Sequence, residues 1–231
     1  MPIKYTFQRR QLLKAGVALL AMPGLAAAQT FPAKPIKLVV PFPPGGLIDT
    51  MARLVGPRLA QELGQTVVIE NKPGAGGNLG AAEVARSTPD GYTRLMASPP
   101  LTISPALHTV VPYKPEQITP VGLIGRVPNV LLVNTKSSIN HVAELVAKAK
   151  NMPGKLNYAS NGNGTSLHLF AGLIKSTTGP FTTHIPYRGA AQALTGLLAG
   201  EIVGHFHVGR CRKLEARRQL RQHHSRLKAQ A

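Results

Sequence analysis

Apolar residues fall along this chain in short runs separated by polar turns rich in glycine and proline. The run Ile36-Lys37-Leu38-Val39-Val40 is rich in β-branched residues, is bounded by prolines and is too short for a globular helix, which predicts a buried strand. Pro41, Pro43 and Pro44 end it, Gly45 and Gly46 give the backbone freedom, and Asp49 is an acceptor suited to the first turn of a helix. Apolar positions at Met51, Leu54, Val55, Leu59 and Leu63 then follow helical spacing as far as Gly64. The unit is a strand, a permissive loop and a helix start.

That unit recurs. Residues 66–70 (TVVIE) predict a second strand, 71–77 a glycine-rich loop, and Asn78 the cap of a helix over 79–86. After the turn at 89–91, residues 92–97 predict a third strand with Ser98 at its C-terminal end. This order predicts an α/β layer with mainly parallel strands and a ligand site at their carboxyl ends, so that Gly45, Gly76 and Ser98 share one rim. The apolar runs 121–125 and 130–133 predict strands of a crossover into a second lobe, and Ile139, Val142, Leu145 and Val146 an amphipathic helix over 138–150. A short strand at 157–160 leads into Asn161-Gly162-Asn163-Gly164-Thr165-Ser166, a polar glycine loop opening a helix over 167–178. A strand at 183–186, a helix at 189–198 and a strand starting at 201 complete the pattern.

Helix starts of this kind present free N–H groups and a positive dipole end, which favour a carboxylate or phosphate. The same residues also describe a plain strand-to-helix turn with a capping Asp, and the residues alone leave both readings open. Two such units, one per lobe, predict a pincer on an anion. His168 stands either as a donor to that anion or as a packing or surface histidine.

With 231 residues and 43% apolar composition, the chain can bury the core of one large domain or two small ones. Its formal charge of +18 is unevenly placed. Lys4, Arg9, Arg10 and Lys14 lie at the start, and the last 27 residues hold eight Lys or Arg against Glu215 alone. Residues 29–204 carry 15 basic and 8 acidic side chains, a mild excess that suits a small anionic ligand and does not require nucleic acid. Cys211 is the only cysteine, which excludes an intramolecular disulfide, a CxxC redox pair and a cysteine zinc site.

Residues 1–28 carry a basic stretch, an apolar run over 15–27, and Ala26-Ala27-Ala28 before Gln29, the parts of a secretory signal. Arg9-Arg10-Gln-Leu-Leu-Lys resembles a twin-arginine export motif, with cleavage expected near Ala28. The apolar run is too short to span a bilayer and is broken by Pro23-Gly24. From 205 onward apolar periodicity fades, which predicts a disordered or weakly helical basic tail, either a nucleic-acid or membrane arm or an altered terminus such as a frameshift.

Catalytic signatures are missing. Asp49, Glu62, Glu70, Glu83, Asp90, Glu116, Glu144 and Glu201 form no evident acid/base pair, and neither GxSxG nor HExxH occurs. A dinucleotide GxGxxG starting at Gly74 fails at Leu79, and no phosphate-binding GxxxxGK[ST] occurs. His108, His141, His168 and His184 lack metal-ligand spacing. The expectation is a non-enzyme without metal or cofactor.

The stretches FPAKPIKLVVPFPPGG with Asp49, ENKPGAGGNLGAAEVA, TPDGYTRLMAS, VPNVLLVN, PGKLNYASNGNGTSLHL and HIPYRGAAQALTGLLAG together resemble the tripartite tricarboxylate transporter solute-receptor family, also called Bug, over about residues 31–201. The resemblance implies an α/β fold of the two-lobed periplasmic-binding-protein type, a Venus flytrap. It implies a periplasmic monomer that captures a small carboxylate-bearing organic anion and delivers it to membrane permease subunits. Ligand contacts are implied for Phe42, Pro43, Gly45, Gly46 and Asp49 in the first lobe, and for Asn161, Asn163, Gly164, Thr165, Ser166 and His168 in the second. Gly76 and Ser98 are implied on the rim. Two departures stand out: Ile48 occupies a position where a small hydroxyl residue is common, and family members continue well beyond the point where this chain turns basic. The expected organisation is therefore an export signal at 1–28, a partial first lobe at 29–100, a partial second lobe at 101–204 and a basic tail at 205–231, incomplete at the C-terminus. Two alternatives are a non-functional truncated product of such a gene and an exported α/β enzyme acting on an anionic substrate.

Overall fold

A computed structural model describes residues 31–179, 182–208 and 220–223. The chain divides into two compact units, Met1–Ala33 and Lys34–Ala231. Of the first only residues 31–33 are described, so the predicted export signal and its cleavage near Ala28 lie outside the described residues. Every helix and strand among the described residues belongs to the second unit.

Its first half alternates strand and helix: β1 (Ile36–Val40), α1 (Leu47–Leu63), β2 (Val67–Asn71), α2 (Asn78–Ala85), β3 (Thr93–Leu95) and α3 (Pro100–Leu107). β1 pairs in parallel with β2 and with β3, giving a three-stranded sheet in the order β2-β1-β3. β1 is the central strand, which is why its five residues read as a continuous apolar run. Leu38 and Val40 pack with Ala52 and Met96 under α1, while Ala81 and Ala82 of α2 pack with Tyr113.

The second half comprises β4 (Asn129–Asn134), α4 (Val142–Asn151), β5 (Asn157–Ser160), α5 (Ser166–Thr178), β6 (Thr183–Pro186), α6 (Ala190–Ala199), β7 (Gly204–Val208) and β8 (Leu220–His223). Its five strands run in the order β6-β5-β7-β4-β8. β5 is parallel to β6 and β7, whereas β4 is antiparallel to β7 and β8, so the predicted mainly parallel pairing holds in the first sheet and the second is mixed. Alternation along β4 sends Val130 and Leu132 into one core with Ala193 and Leu197 of α6, and Leu131 into another with Leu167 and Ala171 of α5. Helices therefore cover both faces.

Several boundaries depart from the sequence reading. Residues 121–125 form no strand; Val121 is 84% exposed and the strand begins at Asn129, because an apolar run without a paired edge has no ladder to join. α3 forms despite Pro105, with Pro100 at a helix start where its missing N–H is harmless. Leu101, Val111, Tyr113 and Ile118 pack with Ala81 and Ala82, so a lobe boundary after residue 100 comes too early. The helix expected from 138 starts at Val142, because Ser138 takes φ 57° and Glu144 accepts the His141 N–H at 3.2 Å. β7 covers 204–208 rather than starting at 201, and β8 is a strand, so the tail expected to be disordered or weakly helical from 205 includes two strands paired with β4. The rest of that tail lies outside the described residues.

Candidate functional site

Parallel strands end together, which gathers their exits at one edge of each sheet. In the first sheet the β1 exit (residues 41–46) and the β2 exit (72–77) are tied to each other. Lys72 N–H donates to Val40 O at 2.8 Å, and Asn71 Nδ2 donates to Phe42 O at 2.9 Å and to Asp49 Oδ1 at 3.0 Å. Residues 74–77 all have positive φ, including Ala75 at 47°. A non-glycine residue held there marks a loop that its surroundings dictate.

The second sheet presents two exits of its own. After β5, the loop 161–165 is fixed by Ser160 Oγ, which accepts the Gly162 N–H at 3.1 Å, and by Thr165, whose hydroxyl donates to Gly162 O at 2.8 Å. Thr165 also caps α5, accepting the His168 N–H at 3.4 Å. After β6, Tyr187 N–H donates to Ser160 O at 2.9 Å, and the Tyr187 hydroxyl donates to Glu201 Oε2 at 3.3 Å.

The exits of the two sheets meet. A Cβ built on Gly76 would lie 2.4 Å from Asn163 O, and one on Gly162 would lie 3.3 Å from Gly76 Cα. On the other side a Cβ on Gly189 would lie 3.1 Å from Pro43 Cγ. Between these contacts lies a cleft of about 930 Å³, walled by Phe42, Pro43, Pro73, residues 74–78, His108, Val110, Pro112, Asn161, Gly162, Asn163, Pro186, Tyr187, Arg188 and Gln192. Among the described residues no acidic side chain lines it. Asn161 Oδ1 is buried there without a hydrogen-bond partner, an acceptor left for a donor from outside the protein. A smaller cavity of about 50 Å³, lined largely by apolar residues including Leu131, Leu145, Ala171 and Ile174, is a packing gap beneath α4 and α5.

Five sequence-predicted residues lie on the cleft wall: Phe42, Pro43, Gly76, Asn161 and Asn163. Gly45, Gly46, Asp49, Ser98, Gly164, Thr165, Ser166 and His168 do not. Asp49 is 3% exposed, and its carboxylate is consumed internally, accepting from Gly45 N–H (2.9 Å), Arg53 Nε (2.9 Å) and Asn71 Nδ2 (3.0 Å). The Arg53 bond above all holds its carboxyl down at about 2, with the Gly45 and Asn71 bonds adding to it against the opposing effect of burial. It is a strut of the β1 exit.

Gly46, not Asp49, is the N-cap of α1, and Gly77, not Asn78, is that of α2; Asn78 instead accepts from the buried Tyr113 hydroxyl at 3.2 Å. Ser98 is held at the start of α3, where its carbonyl accepts the Leu101 N–H at 3.0 Å. Gly164 faces inward, since a Cβ there would lie 2.9 Å from Ser104 Oγ. His168 takes the packing alternative: its ring stacks on His184 at 4.6 Å, and burial, then the nearby His108, lowers its pKa. Behind it, His184 hydrogen-bonds Ser160 Oγ at 2.7 Å and is pushed down to about 4, chiefly by burial and then by His168.

The residues 186–188, Gln192 and His108 escaped the sequence reading as site residues. A signal for most of them was present, since IPYRGAAQAL repeats the pattern of strand, loop and glycine-led helix start. Among the described residues no group of three or more His, Cys, Asp or Glu could hold a metal ion, and no helix is long and apolar enough to cross a membrane.

Comparison with known proteins bears on this geometry. The family model described as "Tripartite tricarboxylate transporter family receptor" matches residues 51–208, past the point where the sequence resemblance fades. A UPF0065 protein of Bordetella pertussis is 44% identical over 189 residues, covering 81% of this chain and 58% of its own length. Protein BugT of the same organism is 41% identical over 189 residues, 79% of this chain and 58% of BugT. The chain thus spans about three fifths of the length of these relatives. Among solved structures, the periplasmic binding protein BugD aligns with TM-score 0.73 at 30% identity, covering 83% of this chain and 65% of BugD. Rpa4515 of R. palustris, solved with adipate, gives 0.76 at 33%, covering 83% and 65%. MatC of Rhodopseudomonas palustris, with bound malate, gives 0.71 at 31%, covering 77% and 61%. The α/β architecture is that of periplasmic binding proteins.

Proposed function

From membership of the tripartite tricarboxylate transporter receptor family, to which this chain belongs, we propose that it captures a small carboxylate-bearing organic anion in the cleft between its two sheets. The observation that carries this reading is the convergence of glycine-rich strand exits from both sheets on a wall free of acidic side chains among the described residues. Backbone N–H groups in such loops can grip a carboxylate without the desolvation cost of burying a lone cation. Phe42, Pro43, Gly76, Asn161 and Asn163 are the contacts we assign from the sequence reading. Asn161 Oδ1 is suited to a hydroxyl on the ligand. Bound adipate and malate in two structural neighbours support a carboxylate ligand. Capture rather than turnover follows from a family of receptors.

Each sheet with its helices forms one lobe in this proposal, and closure of the lobes on the anion is the state offered to membrane permease subunits. The receptor works in the periplasm as a monomer, as its likeness to periplasmic BugD and the predicted signal suggest, with export by the twin-arginine route and cleavage near Ala28. Cells lacking the chain should lose uptake of its ligand; unchanged uptake would remove the permease assignment.

Protein recovered from the periplasmic fraction should gain thermal stability from one or a few members of a carboxylate panel. A ligand at 100 times its Kd stabilises by about 2.7 kcal/mol. A panel without a single shift, or protein found only in the cytoplasm, rejects the receptor reading.

A further inference from the structure

We propose that Arg188 reads a second carboxylate on the ligand, so that the cleft selects organic dianions over monoanions of equal length; this rests on the anion-capture reading above. Among the described residues, Arg188 and His108 are the only ones on the cleft wall whose side chains carry or can take a positive charge, and no carboxylate shares that wall. Among the described residues Arg188 also forms no ion pair or side-chain hydrogen bond, although Glu201, one helix away, is engaged by Tyr187. A guanidinium presents a planar fork that matches a carboxylate with two parallel bonds.

Its backbone is held on both sides. Tyr187 is anchored by its N–H to Ser160 O at 2.9 Å and by its hydroxyl to Glu201 at 3.3 Å. Gly189 is pressed against Pro43 of the other sheet. Arg188 therefore stands where the two sheets approach each other on one side of the cleft, while the Gly76 and Asn163 contact lies among the glycine loops. A ligand gripped by backbone N–H groups at those loops leaves its other end to Arg188. A neutral or methyl end would leave the guanidinium without a partner; a carboxylate would pair with it.

The test uses titration calorimetry on the full chain with hexanoate against adipate and pentanoate against glutarate, at neutral pH and fixed salt. Wild type should prefer each diacid by about tenfold or more, as expected of one added charge pair. Arg188→Gln should lose about that factor for the diacids and keep monoacid affinity within roughly threefold, and Arg188→Lys should recover part of the loss. Because Arg188 is exposed, its variants should melt with the wild type, and circular dichroism checks this. Equal loss for both classes, or none for the diacids, overturns the assignment. If wild type binds mono- and diacids alike, the dianion inference falls and the receptor reading stands; if it binds neither, both fall.

Discussion

At the scale of the residue, Asp49 shows how a group placed for binding can be spent on structure. Its carboxylate satisfies three donors around the β1 exit and leaves almost nothing for a ligand. Replacement by alanine strands the Gly45 N–H and the Asn71 amide in a largely buried corner. Asp49→Ala should therefore lower unfolding free energy by on the order of 3 kcal/mol in urea titration. A variant as stable as wild type that had lost only affinity would return Asp49 to the ligand. Arg53, four residues on and exposed, holds the other side of the same carboxylate, an arrangement that helical spacing permits and sequence can suggest.

At the scale of the element, the glycine-rich exits set how closely the two sheets approach. The sequence located them, because a strand broken by glycine before helical periodicity is a local signal. It could not say that Gly76 faces Asn163, since those positions are 87 residues apart along the chain. Gly76→Ala puts a methyl group 2.4 Å from a carbonyl oxygen at φ 67°, so the two loops must part. Carboxylate affinity should fall about tenfold or more by calorimetry. The loss in unfolding free energy should stay near about 1–2 kcal/mol, as strain confined to a loop predicts. Unchanged affinity would mean that the loops need not touch for binding.

At the scale of the whole molecule, stability should depend on pH in two windows. Burial in β7 leaves His205 fully inaccessible and pushes it down to about 4, below its ordinary 6.5. A histidine kept neutral by the fold stabilises fully above its unfolded pKa, and that contribution is lost as pH falls from about 6.5 to about 4, worth about 3 kcal/mol. Asp49, held at about 2, adds stability above about 4 that is lost as pH falls further, worth on the order of 2 kcal/mol. Urea midpoints measured from about pH 7.5 to 3 should fall in both windows; a flat profile between about 6.5 and 4 would mean that His205 charges freely. The sequence alone determined the strand, loop and helix units, most helix ends and the family resemblance, because periodicity, capping and turn chemistry act over a few residues. Whether an apolar run such as 121–125 finds a strand partner, where β7 begins, and which of thirteen named residues reach the cleft were decided by pairing and packing between distant segments. Burial and long-range hydrogen bonds turned Asp49 and His168 inward, and only the assembled fold brought Arg188 to the opening between the sheets.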